Sequence, residues 1–420
     1  MQVIEEKKYT DTSWDFAEAN TKTLTHCFHA YPAMMIPQIA SRLIEKYGSQ
    51  ARRLFDPYCG TGTSLVEANV HGIEAIGTDL NPLARLIAKA KTTPIPADVL
   101  DHYIREFSTM LLAIRLGKTD DESVELPDFP NIDFWFTEEV QKKLARLKSF
   151  IDSIDRPSVR RFFYVAFSET VRESSLTRNS EFKLYRLPKE KRERFRPDVY
   201  GIMEQKIMRN RNGLLAFMQQ RTEPVRARIF SFNTVHGVPA NILPQSSVDL
   251  ILTSPPYGDS RTTVAYGQFS RLANQWLGFR EASQLDKELM GGRPLDLNGK
   301  FDIDVLDSVL DEIKARDERR AKDVHAFYRE YQQSIRHISE TLRSGGYACF
   351  VVGNRRVKSV TLPTDEITVA LFEKNGFDHV ETIVRRIPNK RMPSQNSPTN
   401  EVGKKDSTMN FEYIVVMRKK

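Results

Sequence analysis

The stretch Leu54-Phe55-Asp56-Pro57-Tyr58-Cys59-Gly60-Thr61-Gly62-Thr63-Ser64-Leu65-Val66-Glu67-Ala68 reads as a short apolar strand, an acidic residue, a glycine turn and the start of an amphipathic helix. Gly60 and Gly62 remove side chains where a ligand must approach the backbone, so the unit is expected to cradle a nucleotide or cofactor. No Gly-Lys-Ser/Thr follows, which excludes a phosphate-binding P-loop, and the third glycine of the dinucleotide fingerprint is missing. A second strand, Glu74-Ala75-Ile76-Gly77-Thr78, ends at Asp79, roughly 20 residues after the first turn. A carboxylate there can accept both hydroxyls of a ribose.

About 190 residues downstream, Val248-Asp249-Leu250-Ile251-Leu252 reads as a buried strand and runs directly into Thr253-Ser254-Pro255-Pro256-Tyr257. The two prolines end the strand and hold the following backbone extended. The resulting rigid lip offers a hydroxyl, carbonyls that no ladder uses, and an aromatic face. Those groups suit a planar, amino-bearing ring held by its edge and its face.

Taken in order, Asp-Pro-Tyr-Cys-Gly-Thr-Gly-Thr from Asp56, Gly-Thr-Asp-Leu-Asn-Pro from Gly77, and Thr-Ser-Pro-Pro-Tyr from Thr253 resemble the S-adenosylmethionine-dependent amino-methyltransferases of DNA. The serine form of the last motif is most similar to the cytosine-N4 branch; the adenine-N6 branch usually carries Asp or Asn where Ser254 stands. His29-Ala30-Tyr31-Pro32-Ala33-Met34-Met35 resembles the segment that folds over the cofactor in this family, and Leu342 to Gly353 looks like the turn into its fifth strand. The resemblance spans residues 24–100 and 228–420. It implies an α/β fold, a Rossmann-like class I methyltransferase sheet ending in an antiparallel hairpin, with a mainly helical insertion. It also implies S-adenosylmethionine as cofactor, held by His29, Tyr31, Pro32, Asp56, Cys59, Gly60, Thr61, Gly62, Thr63, Asp79, Leu80, Asn233 and Thr253. Ser254, Pro255, Pro256 and Tyr257 are the implied catalytic residues. Double-stranded DNA is the implied partner, its target base extruded from the helix. Asn233 stands where the family commonly places an aspartate; its carbonyl still accepts a hydrogen bond, but without charge.

The composition fits such a partner. Lys plus Arg exceeds Asp plus Glu by 62 to 55 in 420 residues, a net charge of +7 suited to a polyanion and equally to ordinary solubility. Cys27, Cys59 and Cys349 show no paired spacing, which argues against a disulfide framework or a zinc site, and no metal is expected. No apolar run approaches membrane-spanning length, so the expectation is a cytoplasmic, nucleoid-associated protein without membrane contact.

Strand and helix signals alternate over residues 1–100 and 226–420, expected as one discontinuous cofactor-binding catalytic domain. Met34 to Tyr47 puts Ile36, Ile39, Ala40, Leu43 and Ile44 on one helical face, and Gly48 stops it. Residues 101–225 instead read as an inserted helical module and a candidate DNA-recognition unit. Thr137 caps one of its helices and Pro157 opens another. A charged helical insertion is expected over residues 280–325, with Val305, Leu306, Val309, Leu310 and Ile313 on one face. His379 to Val384 and Phe411 to Met417 are expected to form the closing hairpin.

Three segments mix cations with aromatics in a way that suits phosphates and bases. Arg178, Lys183 and Arg186 lie in the first, Arg261 and Tyr266 follow the Ser-Pro-Pro-Tyr lip, and Lys390 and Arg391 lie between the last two strands. A solvated charged face around anchoring rings gives the same kind of pattern, but within a DNA-directed enzyme nucleic-acid contact is the expectation. Rival readings are an adenine-N6 DNA methyltransferase, an RNA or tRNA guanine-N2 methyltransferase, and an inert DNA-binding relative. Whether the chain belongs to a restriction-modification system with a cognate endonuclease or acts as an orphan modification enzyme is left open at this stage, as is the recognition sequence.

Overall fold

In a computed structural model the described residues are 7–118, 124–179, 181–258, 263–279, 284–293, 295–297, 299–388 and 410–420, with backbone also placed at 395–396 and 406–407. The central sheet has eight strands: β1 (Lys8–Thr10), β2 (Arg53–Asp56), β3 (Glu74–Thr78), β4 (Ala227–Phe230), β5 (Val248–Thr253), β6 (Leu342–Val352), β7 (Phe377–Arg386) and β8 (Phe411–Lys419). Their spatial order is β1-β7-β8-β6-β5-β2-β3-β4. β8 runs antiparallel to both β6 and β7, and the remaining pairs are parallel. The closing hairpin is therefore present, with its last strand slotted between the two before it.

The central stretches Leu250–Leu252, Ala348–Val352 and Ile414–Met417 are apolar at every position because both faces of the sheet are covered there. In β6, Cys349 and Val351 pack against one helical layer, while Ala348, Phe350 and Val352 pack against the other. The first layer holds α1 (Pro37–Tyr47), α2 (Thr63–Val70) and α3 (Pro82–Thr92). α1 begins at Pro37, not Met34. Proline at the first helical position forces the preceding Ile36 to stay extended, which leaves Met34 and Met35 in a loop.

The inserted helices α4 (Ala97–Arg115), α5 (Glu138–Ser153), α6 (Pro157–Ser174) and α7 (Val199–Gln220) follow. α4 starts at Ala97, before residue 101. Thr137 caps α5 by accepting from the Val140 amide, and Pro157 opens α6. Their buried residues Phe107, Leu144, Phe163 and Leu214 belong to one core with Leu83 and Ile87 of α3, with Phe28 and Tyr31, and with Trp276 of α8 (Tyr266–Trp276). The insertion thus extends the first helical layer and has no separate core.

The second layer holds α9 (Asp304–Arg316), α10 (Glu318–Thr341) and α11 (Thr364–Glu373). Within the charged stretch expected over 280–325, a short helix at Leu285–Glu288 precedes α9 and α10, which meet at Asp317, whose side chain caps α10 by accepting from the Arg320 amide. α10 runs on to Thr341 and packs Tyr331, Ile335 and Ile338 on the sheet, so it is a layer helix. Leu306, Leu310 and Ile313 of α9 are buried as expected.

Gly77, in β3, is where the turn after β2 crosses its neighbour. A Cβ there would stand 2.8 Å from both Cys59 Cβ and Leu65 Cδ1. Gly77→Ala is expected to push that turn off the sheet and to cost roughly 1–3 kcal/mol in denaturant unfolding; an unchanged midpoint would show that the turn is not held there.

Candidate active site

The chain leaves β2 for β3 and β4 on one side and returns to β5 on the other, so the strand order reverses between β2 and β5. Loops leaving the carboxyl ends of strands on either side of such a reversal part, and a crevice opens between them. Here it is a cavity of about 820 Å³. Asp56, Tyr58, Cys59, Gly60, Thr61, Thr63 and Ser64 line it from the end of β2 and the start of α2. Asp79 and Asn81 line it from the end of β3, and Ser254, Pro256 and Gly258 from the end of β5.

Asp56 joins these walls. Its carboxylate is 3 % exposed and accepts from the Thr253 hydroxyl at 2.5 Å, the Tyr58 amide at 3.1 Å and the Ser64 hydroxyl. Burial outweighs those three donors and pushes its ionisation up to about 6. The turn beyond it needs left-handed backbone at Gly60 (φ 47°) and Gly62 (φ 77°). The space where a Gly60 Cβ would stand is open, as a cradle for a ligand requires, whereas Gly62 packs 3.0 Å from Ala88 of α3. The two glycines therefore have different reasons.

Asp79 accepts from the Gly60 amide at 3.1 Å and the Asn81 amide at 2.7 Å, and burial raises its ionisation. Asn81 caps α3 by accepting from Leu83, with Pro82 next, and its amide donates to the Tyr31 and Ser270 hydroxyls, both at 2.7 Å. Tyr31 thereby closes one wall, its ring parallel to that of Tyr266 within 15° at 6.0 Å between centroids. Pro32, Ala33, Met34 and Met35 continue the lining, and Leu289 and Met290 also belong to it.

At the lip, the Ser254 hydroxyl donates to the Tyr257 oxygen at 3.3 Å, and Tyr257 donates to Glu412 of β8 at 3.1 Å. Pro255 and Tyr257 do not line the cavity. Neither do His29, Leu80, Asn233 and Thr253. His29 is buried behind Tyr31 and edge-on to Phe269, with no hydrogen-bond partner for either ring nitrogen among the described residues. Burial lowers it to about 4, so the ring is neutral. Asn233 turns its carbonyl to the Val235 amide, and Thr253 supports the site from below through Asp56.

Tyr266, a candidate for contact with phosphates or bases, lines the cavity. Arg261, Lys390 and Arg391 lie outside the described residues. Arg178, Lys183 and Arg186 fall on a short irregular hairpin in which the Arg178 amide donates to Tyr185 and the Leu187 amide to Leu176. Arg178 sits over the Tyr185 ring at 5.9 Å and Arg186 over Phe134 at 4.0 Å; both rings are exposed. The Leu184 amide donates to Gln268 of α8, which ties this hairpin to the helix that carries Tyr266.

Asn81 was legible as Asn-Pro at a helix start and was not singled out for the site. Tyr58 and Ser64 lay inside the quoted turn without an assigned role. Leu289 and Met290 carried no local signal. Among the described residues no cluster of His, Cys, Asp and Glu is arranged to hold a metal ion, and no helix is long and apolar enough to cross a membrane.

No family model matches the chain. It is 42% identical over 426 residues to the type II methyltransferase M.MvaI of Kocuria varians, covering 96% of this chain and 93% of that protein. It is 26% identical over 186 residues to the type II methyltransferase M.MjaII of Methanocaldococcus jannaschii, covering 42% of this chain and 35% of that one. Among solved structures, an rRNA methyltransferase of Streptomyces viridochromogenes aligns with a TM-score of 0.32 at 12% identity, over 93% of this chain and 88% of its own.

The raised ionisation of Asp56 fixes the sign of a pH effect. In an unfolded chain the group ionises near 3.8 and in the fold at about 6. The unfolded state therefore releases its proton first, and folding loses stability as pH rises across that window. Relative to Asp56→Asn, which does not titrate, the wild type should lose roughly 2–3 kcal/mol between the two ends of the window in urea unfolding. A difference that grows with pH would contradict the assignment.

Proposed function

The chain belongs to the type II methyltransferase family, and on that footing we propose that it transfers the methyl group of S-adenosylmethionine to the N4 amine of a cytosine extruded from double-stranded DNA. One observation carries this reading: the Asp56–Thr253 hydrogen bond joins the glycine turn to the Ser254 lip, so both face one cavity. Site-specific DNA methylation is the activity its relationship to type II methyltransferases supports, and the choice of base is read from the lip.

The residues present suit the cofactor. Gly60 leaves its space open, and Asp79 sits at the end of β3, where a ribose would meet it. Asp56 supplies negative charge for the cationic methionine half, and Tyr31 and Tyr266 supply aromatic surface. When bound, S-adenosylmethionine supplies an electrophilic methyl carbon.

The remaining work falls to this chain's own groups. An exocyclic amine is a poor nucleophile because its lone pair is delocalised into the ring. Ser254 Oγ and the Pro255 carbonyl accept its two protons, favour a pyramidal nitrogen and aim the lone pair into the cavity. Those acceptors also stabilise the positive charge that develops on nitrogen, which is selective binding of the transition state. No strong base is needed, since the methylated nitrogen is acidic enough to lose its proton to water.

For the DNA itself, the hairpin tied to α8 is the proposed contact surface. Between Arg178 and Arg196 eight Lys and Arg residues face three Glu, and Arg178 and Arg186 are held over exposed rings suited to stacking. Arg178, Lys183 and Arg186 are assigned to phosphates. Changing all three to Ala should lower the slope of log Kd against log salt by about 2–3, and an unchanged slope would remove the hairpin from the interface.

Incubation with labelled cofactor and either duplex DNA or total tRNA, followed by nucleoside mass spectrometry, tests the reaction. The expected product is N4-methylcytosine in DNA, with Ser254→Ala slower by about a hundredfold. N6-methyladenine would reassign the base, and label entering tRNA alone would sink the proposal.

A further inference from the structure

The Ser254 hydroxyl can both donate and accept, and which it does toward a substrate depends on what holds its proton. The groups around it set that direction. Glu412 lies directly opposite Arg385 across the β7–β8 ladder, and one of its oxygens accepts from the Arg385 guanidinium. Arg385 is 3 % exposed and is itself fixed by donating to the carbonyls of Trp14, at 2.8 Å, and Asp15, at 3.0 Å. The other Glu412 oxygen faces Tyr257 at 3.1 Å.

An ionised carboxylate only accepts, so Tyr257 must donate to it. Burial, together with the Glu412 charge, holds the Tyr257 phenol well above its ordinary ionisation, so it keeps its proton at neutral pH. With that proton committed to Glu412, the phenol oxygen is an acceptor and takes the Ser254 hydroxyl hydrogen at 3.3 Å. Ser254 Oγ is left with lone pairs alone.

We propose that Glu412, anchored by Arg385, is a positioning residue that works through Tyr257 to fix Ser254 as an obligate hydrogen-bond acceptor, and so selects bases that present an amino group over bases that present a carbonyl. This rests on the reading that Ser254 holds the substrate amine. It narrows that reading, because a serine free to donate would also suit a ring nitrogen or a keto oxygen.

Glu412→Gln reverses the chain without changing its shape. Arg385 has only donors to offer and claims the glutamine carbonyl, which turns the amide NH2 toward Tyr257. Tyr257 then donates to Ser254, and the serine hydrogen points at the substrate. Single-turnover methylation should slow by about tenfold or more while the Kd for S-adenosylmethionine stays within about twofold. Tyr257→Phe keeps the ring and loses the link, and should also slow the step.

The decisive measurement is the double-mutant cycle. If the link runs through Tyr257, adding Glu412→Gln to Tyr257→Phe costs little more; equal losses in both backgrounds would overturn the relay. A cofactor Kd that worsens in step with the rate would also overturn it, by reducing Glu412 to a structural support. Should Glu412→Gln fail to fold, Tyr257→Phe carries the test with the Arg385–Glu412 pair intact, an undiminished rate counting against the proposal. Product analysis of the wild type keeps the two claims apart: a product other than N4-methylcytosine corrects the base assignment, whereas N4-methylcytosine with an additive cycle removes only the relay.

Discussion

A single buried carboxylate determines where two distant loops meet. Asp56 ends β2, Thr253 ends β5, and the 2.5 Å hydrogen bond between them ties the glycine turn to the Ser254 lip across the point where strand order reverses. Desolvating a carboxylate is costly, and the two hydroxyls and one amide that Asp56 accepts from offset only part of that cost. A neutral residue would relieve the penalty but would not serve all three donors. The charge is better understood as fixing a geometry than as adding stability.

The elements that were legible from sequence were those whose signal is local. The β2–turn–α2 unit, the strand into Ser254 and the closing hairpin are each set by apolar runs and by glycine or proline punctuation within about 15 residues. Boundaries shifted where one residue outweighed periodicity, as Pro37 did at α1 and Asp317 between α9 and α10. What stayed hidden was set by packing between distant segments. Leu289 and Met290 are ordinary apolar residues until the fold brings them to the cavity, and nothing local to Tyr266 reveals that its ring lies parallel to that of Tyr31. His29, Leu80 and Asn233 were assigned by motif likeness, and they are not among the residues that line the cavity.

The inserted helices change how the site is supported. Their core is continuous with α3, with Phe28 and Tyr31, and with α8, so the wall formed by Tyr31 and Tyr266 shares its core with residues such as Phe163, more than 100 positions from either. Close-packed interiors transmit displacements of fractions of an ångström. A cavity-forming substitution in those helices therefore acts on the Tyr31 and Tyr266 wall of the cavity without touching it.

The pairing of Lys8–Thr10 with Thr382–Val384 has a consequence for how the protein matures. The strand that these residues pair with lies more than 370 positions further along the chain. Until the two meet, the outer edge of β7 is unmade and the Trp14 and Asp15 carbonyls lack Arg385. Contacts of such long sequence separation form late. The Arg385 contacts that anchor Glu412 are thus among the late features to assemble, after the β2–turn–α2 unit, whose contacts are local.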